Sequence, residues 1–226
     1  LKTALITGAG KGIGMAIAIA LLKSGYRCLV VSRTSADLET LQPYGAVLPF
    51  VADLNDAEAR ASLAAYVLNE NLVPDVLVNN AGFYLPDTVS SLPSALDQNL
   101  NSNLIQVREL TALLWESLLE RKNAYVFNIV SVLGKQIRPE AASYTIAKHG
   151  LAAYNRLLFK EGKKQNVKVT GIFPASVYTA AWEGSGVNPD WLIKPEDIAQ
   201  LVITCLNLSA AAVPDEIHLQ CMQEGF

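Results

Sequence analysis

The amino-acid sequence predicts a doubly wound α/β domain, a single parallel β-sheet with helices on both faces. Three observations point there. Short apolar runs alternate with amphipathic stretches of helical length from end to end. The runs are nearly free of polar interruptions, the pattern of parallel strands covered on both faces and joined by right-handed crossovers. The first run, Ala4-Leu5-Ile6, leads straight into Thr7-Gly8-Ala9-Gly10-Lys11-Gly12-Ile13-Gly14 and then into the helical alternation Ile13, Ile17, Ala20, Leu21. The order is strand, glycine turn, helix. At 226 residues, 51% hydrophobic and 17% charged, the chain buries one sizeable core, and residues 1–226 are expected to form a single domain.

The remaining elements follow in order. The first helix stops at Ser24-Gly25, and Arg27 to Ser32 reads as the second strand. Ala36 to Gln42 is a short helix closed by Pro43, with Asp37 and Glu39 expected to face solvent. Ala46 to Ala52 is the third strand, and Asn/Asp capping chemistry from Asn55 opens a helix rich in Ala and Leu. Val76 to Val78 is the fourth strand, ending in Asn79-Asn80-Ala81-Gly82. Phe83 to Pro93 is loop, and one long helix is expected over Leu96 to Glu120. Tyr125 to Val130 is a strand, Ala141 to Gly162 a helix, Val167 to Phe173 a strand, Pro195 to Leu206 a helix, and Glu216 to Gln220 a last short strand. Ligands of such sheets bind beyond the carboxyl ends of the strands. Thr7, Ser32, Asp53, Asn80, Ser131 and Pro174 fall at those ends.

Composition narrows the function. A net charge of -3 creates no field for nucleic acid or an anionic membrane, and neither partner is expected. Cys28, Cys205 and Cys221 are scattered and lack C-x-x-C spacing, which supports neither a disulfide framework nor a zinc site and fits a reducing, cytoplasmic setting. His149 and His218 are the only histidines, with no acidic cluster at ligand spacing, so no metal is expected. The apolar stretch Met15 to Leu22 follows a glycine turn and carries no cleavage signal, which argues against a signal peptide. No apolar run is long enough to span a bilayer. The basic run Lys160 to Lys164 reads as a solvated helix end. The missing initial Met suggests that a few starting residues lie outside the numbering.

The glycine turn carries the first chemical signal. It leaves backbone N–H groups at a helix N-terminus, where the macrodipole favours a phosphate. Gly8 would allow the tight turn, Gly12 the approach of a pyrophosphate, and Gly14 close helix-on-strand packing. An ordinary glycine-rich loop is the alternative. The second signal is Tyr144-x-x-x-Lys148, two side chains on one helical face. Bringing a phenol from a pKa of about 10 toward neutrality takes roughly 4 kcal/mol, and a nearby ammonium has the right sign. Ser131, at the end of the fifth strand, is placed to polarise a carbonyl while the phenol donates a proton. A surface pair on a helix is the alternative reading of the tyrosine and lysine.

Taken together, Thr7-Gly8-x-x-x-Gly12-x-Gly14, Asp53, Asn79-Asn80-Ala81-Gly82, Asn103-Leu104, Ser131 and Tyr144-x-x-x-Lys148 resemble the short-chain dehydrogenase/reductase family, in its order and over nearly the whole chain. The resemblance implies the Rossmann fold and a nicotinamide cofactor. It makes Tyr144 the general acid in the reducing direction, and has Lys148 lower the tyrosine's pKa and hold the nicotinamide ribose. Ser131 would orient the carbonyl, and Asn103 would sit in a locally distorted helix that supports a water-linked proton relay. Asp53 would bind the adenine edge with Leu54 against the ring, and Asn80, Ala81 and Gly82 would line the cofactor. For Asp53 a helix cap, and for Asn80 to Gly82 a strand-ending turn, are the plainer readings. Gly10 and Ile13 of the turn, Pro174, Val177 and Thr179 complete the implied cofactor contacts, with Thr179 at the cofactor amide.

Selectivity for NAD needs an acid at the end of the second strand, whereas a 2′-phosphate needs cations. Here Ser32-Arg33 stands there, with Lys11 in the glycine turn, so NADP(H) is expected in preference to NAD(H). A surface charge is the alternative for Arg33. Where many family members have Pro-Gly after the sixth strand, this chain has Pro174-Ala175, for which an altered loop shape with a retained site is expected. The segment Tyr178 to Ile193 should form a flap over the site, with Trp182 and Trp191 serving an apolar substrate surface, the core or a subunit contact. A small-molecule carbonyl substrate is implied, and a 3-oxoacyl reductase, a sepiapterin-reductase-like or other ketone reductase and a sugar or polyol dehydrogenase all share the motifs. A non-catalytic NADPH-binding redox sensor is the alternative from another class. A homodimer through the two long helices is expected, with a homotetramer less secure because the chain ends soon after its last strand.

Overall fold

In the computed structural model, which describes residues 1–121 and 123–223, the chain builds outward in two directions from its first strand. β1 (Thr3–Thr7), β2 (Arg27–Ser32) and β3 (Val47–Val51) step to one side. The chain then returns to lay β4 (Val76–Asn79) on the other edge of β1 and continues with β5 (Tyr125–Ile129), β6 (Lys168–Pro174) and β7 (Glu216–Leu219). The sheet order is β3-β2-β1-β4-β5-β6-β7, and every pairing is parallel. The two directions diverge between β1 and β4, which opens a crevice at their carboxyl ends.

Strand alternation explains why helices cover both faces. Ala4 and Ile6 of β1 point into one core with Ile17 and Leu21 of α1 (Gly12–Lys23), Leu38 of α2 (Ser35–Glu39) and Val202 of α7 (Pro195–Leu206). Leu5, between them, points into the other core with Leu63 of α3 (Ala57–Asn69) and Leu114 of α5 (Gln106–Glu120). β1, β4 and β5 are buried along their whole length, whereas β3 and β7, the sheet edges, are half-exposed.

The strands lie within a residue or so of their predicted bounds, and three helices differ in extent from those the sequence predicts. The long helix expected over Leu96 to Glu120 begins earlier, as α4 (Pro93–Leu100), because Pro93 is pre-set for a first helical turn. It is then broken by a π-helical turn, Asn101–Ile105, before α5. The helix expected over Ala36 to Gln42 ends at Glu39, and Pro43 lies in a separate 3-10 turn, Gln42–Tyr44. The helix predicted over Ala141 to Gly162 is α6, Ala142–Lys164.

A chain of buried carboxamides crosses the second half of the sheet. Asn79 Nδ2 donates to Asn128 Oδ1 at 2.9 Å and to Thr111 Oγ1 at 3.0 Å. Asn128 Nδ2 donates to Asn155 Oδ1 at 2.8 Å, and Asn155 Nδ2 to the Asp215 carbonyl at 3.3 Å. β4, β5, α6 and the approach to β7 are thereby tied together below the carboxyl edge.

Candidate active site

The glycine turn is held against the end of β4 by two side chains. Thr7 Oγ1 accepts from the backbone N–H groups of Asn80 and Ala81, both at 3.0 Å. Asn80 Nδ2 donates to the carbonyls of Thr7 at 2.9 Å and Gly8 at 3.1 Å. The Asn80 amide therefore braces the turn. Gly8 adopts φ +66, and a Cβ there would stand 2.9 Å from Ala81 Cα, while a Cβ on Gly14 would run into the Gly8 carbonyl and the Asn80 amide. Ile13, in the first turn of α1, packs against the core.

α1 begins with no side-chain cap and no acidic residue in its first turn. The turn that leads into it, as far as the N-cap residue Lys11, lines a cleft of about 420 Å³ that runs over the ends of β1, β2 and β4, while Gly12, Ile13 and Gly14 of the helix itself are not among the lining residues. Gly8, Gly10 and Lys11 line it on one side, Ser32 and Arg33 on another, and Asp53 and Leu54 on a third. Asn80, Ala81 and Gly82 close it toward β4. An uncapped helix end, a turn with no room for side chains and a cleft carrying two exposed cations fit the adenosine and phosphate portion of a dinucleotide. Leu54 is buried in the wall, held by the buried Arg60, whose guanidinium donates to its carbonyl at 2.6 Å and pairs with Glu109. Asp53 does not cap the next helix. That is Asp56, which accepts from the Glu58 N–H at 3.0 Å, while Asp53 Oδ1 accepts from the Asn55 N–H at 2.9 Å.

Asp37 is not solvent-facing as expected, although Glu39 is exposed. Asp37 is half-buried, lines the cleft beside Ser32 Oγ and Gly10, and accepts a hydrogen bond from Thr34 Oγ1. The physical reason is the brevity of α2: its five residues are anchored by the fully buried Leu38, which turns the preceding residue inward. Ser102 and Gln106 also line the cleft, outside the residues the sequence pattern singles out.

The candidate catalytic groups lie farther along the carboxyl edge. Ser131 follows β5 and caps a 3-10 turn, Val132–Gly134, by accepting from the Leu133 N–H at 3.1 Å. The Ser131 hydroxyl also favours the ionised form of the Tyr144 phenol. Tyr144 and Lys148 share a face of α6, with Lys148 Nζ 5.4 Å from the Tyr144 ring centroid. Lys148 Nζ donates to the Ile129 carbonyl at 3.2 Å. Burial pushes Tyr144 up to about 12, with the Ser131 hydrogen bond opposing and Tyr84 adding to the rise. Burial likewise pushes Lys148 down to about 7.

Asn103 sits in the π-helical turn and is buried; its Nδ2 donates to the Phe83 carbonyl at 2.8 Å and the Asn99 carbonyl at 3.1 Å. Its Oδ1 lies where a Cβ on Gly82 would approach to 2.6 Å. The Tyr84 ring meets Tyr144 edge-on, centroids 5.3 Å apart, and its hydroxyl donates to the Glu140 carbonyl at 3.2 Å.

The segment after β6 folds back over this end. Pro174 ends the strand, and Val177, buried in the core, pairs with Ile193 through the Tyr178 N–H to Ile193 carbonyl bond at 2.8 Å. Thr179 reaches the glycine turn, its Cγ2 3.2 Å from where a Gly12 Cβ would stand. Between Thr179 and Ile193 are two 3-10 turns, Ala180–Trp182 and Pro189–Trp191, each closed by a tryptophan. Among the described residues no cluster of three or more His, Cys, Asp or Glu side chains could hold a metal ion, and no helix is long and apolar enough to cross a membrane.

Known proteins share this arrangement. The family pattern described as short chain dehydrogenase matches residues 2–188. The bovine (Bos taurus) protein named dehydrogenase/reductase SDR family member 11 is 29% identical over 91% of this chain and 90% of its own length. A sepiapterin reductase of Chlorobaculum tepidum is 30% identical, covering 96% of this chain and 94% of its own. Among solved structures, an alcohol dehydrogenase of the archaeon Thermococcus sibiricus complexed with 5-hydroxy-NADP superposes with a TM-score of 0.88 at 25% identity, covering 100% of this chain and 99% of that one. With the Rossmann-like sheet, the glycine turn and the serine, tyrosine and lysine in their places, the chain belongs to the short-chain dehydrogenase/reductase family and is an oxidoreductase.

Proposed function

We propose that the protein is an NADPH-dependent carbonyl reductase that turns a ketone or aldehyde into an alcohol, with Tyr144 as the general acid. The observation that carries this reading is the placement of Ser131 just beyond β5 with Tyr144 and Lys148 on one face of α6, Lys148 Nζ 5.4 Å from the Tyr144 ring centroid; a phenol holds its proton at neutral pH. Such a phenol can donate to a carbonyl oxygen that becomes basic as the carbon is reduced. The chemistry a bound reduced nicotinamide supplies is a hydride for that carbon. Ser131 orients the oxygen, Lys148 holds the cofactor ribose, and Asn103 stabilises the turn in which the relay begins. Lys11 and Arg33, with the Ser32 hydroxyl, grip a 2′-phosphate. The 5-hydroxy-NADP in the Thermococcus sibiricus complex supports that choice.

Phe83, Tyr84 and Tyr178 present partly exposed aromatic surface in the two segments that flank Tyr144, which favours a moderately apolar carbonyl compound. The Chlorobaculum tepidum relative, by name a reductase of sepiapterin, supports reduction of a ring-bearing ketone. Ile105 at the end of the π-helical turn, Leu113 of α5, and Ile146 and Leu157 of α6 are exposed, which supports a homodimer packed through α5 and α6.

Loss of NADPH absorbance, with NADH in parallel, over ketones, aldehydes, quinones and a 3-oxoacyl thioester tests the reading. Selective NADPH oxidation is expected with one class, and Tyr144→Phe should lower kcat by roughly 100- to 10,000-fold while NADPH still binds. A variant that keeps most of its kcat would remove Tyr144 from the chemistry. Tight NADPH binding with no turnover of any class would replace the enzyme with a nucleotide-binding sensor.

A further inference from the structure

We infer that Asp87 is a positioning residue for Tyr144, a carboxylate lent by the loop after β4 to cap the helix that carries the proton donor. The inference rests on the reading of Tyr144 above.

α6 begins without a cap of its own. Ala141 and Ala142 open it, and the helix makes no side-chain cap hydrogen bond from its own N-cap residue. The first four N–H groups of a helix need partners from outside its own ladder. Asp87, which precedes them by more than fifty residues, supplies partners for two of them, those of Ala142 and Ser143. Its Oδ1 accepts from the Ser143 N–H at 3.0 Å, and its Oδ2 accepts from the Ser143 hydroxyl. Its carbonyl accepts from the Ala142 N–H at 3.4 Å, and its backbone pairs with Ala141 as an isolated parallel bridge. Asp87 is only 8% exposed, so the Ser143 N–H and hydroxyl satisfy carboxylate oxygens that water reaches poorly.

The capped residue directly precedes Tyr144, and the loop that carries the cap is pinned on its other side as well. Asn103 holds the Phe83 carbonyl. Asn99 holds Leu85 from both sides, accepting from its N–H at 3.4 Å and donating to its carbonyl at 3.1 Å. Between these points Tyr84 lies edge-on against Tyr144. The loop is thus a strap from α4 and the π-helical turn to the first turn of α6, and Asp87 is its buckle. Losing the carboxylate frees the first turn of α6 and lets the phenol drift from the point at which Ser131 and the carbonyl oxygen meet it.

Steady-state kinetics of Asp87→Ala, Asp87→Asn and Ser143→Ala test this, alongside NADPH affinity by fluorescence and thermal unfolding. Asp87→Ala should lose on the order of 10- to 100-fold in kcat, with the carbonyl KM and the NADPH Kd within about twofold of wild type. Asp87→Asn should recover kcat to within about threefold, because the amide can accept from the Ser143 N–H and donate to its hydroxyl. Ser143→Ala, which keeps the backbone bond, should lose about three- to tenfold, and it decides the matter together with Asp87→Asn if Asp87→Ala does not fold. An Asp87→Ala kcat equal to wild type would overturn the inference. So would an Asp87→Asn variant as slow as Asp87→Ala, or NADPH affinity falling in step with kcat in folded protein. If Tyr144→Phe retains turnover, the reading of Tyr144 falls and this inference with it. If Tyr144→Phe is inactive while Asp87→Ala is unaffected, only the inference falls.

Discussion

Replacing Lys148 with Met should change how stability depends on pH. Lys148 is 6% exposed, and Met fills a similar volume without the ammonium. Burial brings the lysine from its ordinary 10.5 down to about 7. At about 1.4 kcal/mol per pH unit, that difference amounts to about 5 kcal/mol of native-state cost when the amine is charged. Between those two values the unfolded chain holds a proton that the native protein has released, so stability rises with pH across this window. Below about pH 7 both states carry the proton and the full cost is present; above about 10.5 it is gone.

About 2 kcal/mol of the cost is relieved between roughly pH 7 and pH 9. Urea unfolding of wild type and Lys148→Met at three pH values in that interval measures it. The loss of the bond to the Ile129 carbonyl offsets the variant by a constant and leaves its slope alone. The raised pKa values of Tyr144 and Cys28 lower stability with rising pH only at more alkaline values, and they are common to both proteins. Wild type should gain on the variant by about 2 kcal/mol, and curves that run parallel would refute the argument.

Other changes probe the cofactor and substrate ends. Arg33→Asp should lower the ratio of kcat/KM for NADPH over NADH by on the order of 10- to 100-fold, and an unchanged ratio would remove Arg33 from the phosphate site. Gly14→Ala drives a methyl into the Gly8 carbonyl and should cost about 1–3 kcal/mol of stability, read as a lowered Tm, together with weaker NADPH binding. Tyr84→Ala should reduce kcat/KM for aryl ketones by about three- to tenfold while sparing small aliphatic ones, as competition between the two substrate types would show.

The strands, the glycine turn and the carboxyl-edge residues were legible in the sequence because each rests on a local pattern. Apolar runs mark buried strands, and Tyr144 and Lys148 four apart must share a helical face. The π-helical turn left no mark on the apolar spacing, which continues through Leu100, Leu104 and Val107 as if the helix were regular; the local distortion at Asn103 was expected from the family resemblance alone, and the structure has it there. Asp37 was misplaced because a five-residue helix carries too little periodicity to set which side faces in. Asp87 gave no local sign, for its partner is 56 positions away and only the folded chain joins them. Asn99 and Asn103, an i, i+4 pair, did carry a signal that both look toward one neighbouring loop. The surroundings of Lys148 were hidden for another reason: spacing fixes a shared face with Tyr144, whereas burial and the aim of the ammonium are tertiary facts.

The buried carboxamides of Asn79, Asn128 and Asn155 form a one-way series, each giving its N–H to the next oxygen. A direction of this kind cannot be edited one letter at a time. Leu at Asn128 would strand a donor on Asn79 and an acceptor on Asn155 in places water does not reach, a double penalty of about 2–6 kcal/mol. Divergent copies of this sequence should therefore keep the three asparagines as a block or exchange them together, and a survey of variants would find these positions inherited as one word rather than as three letters.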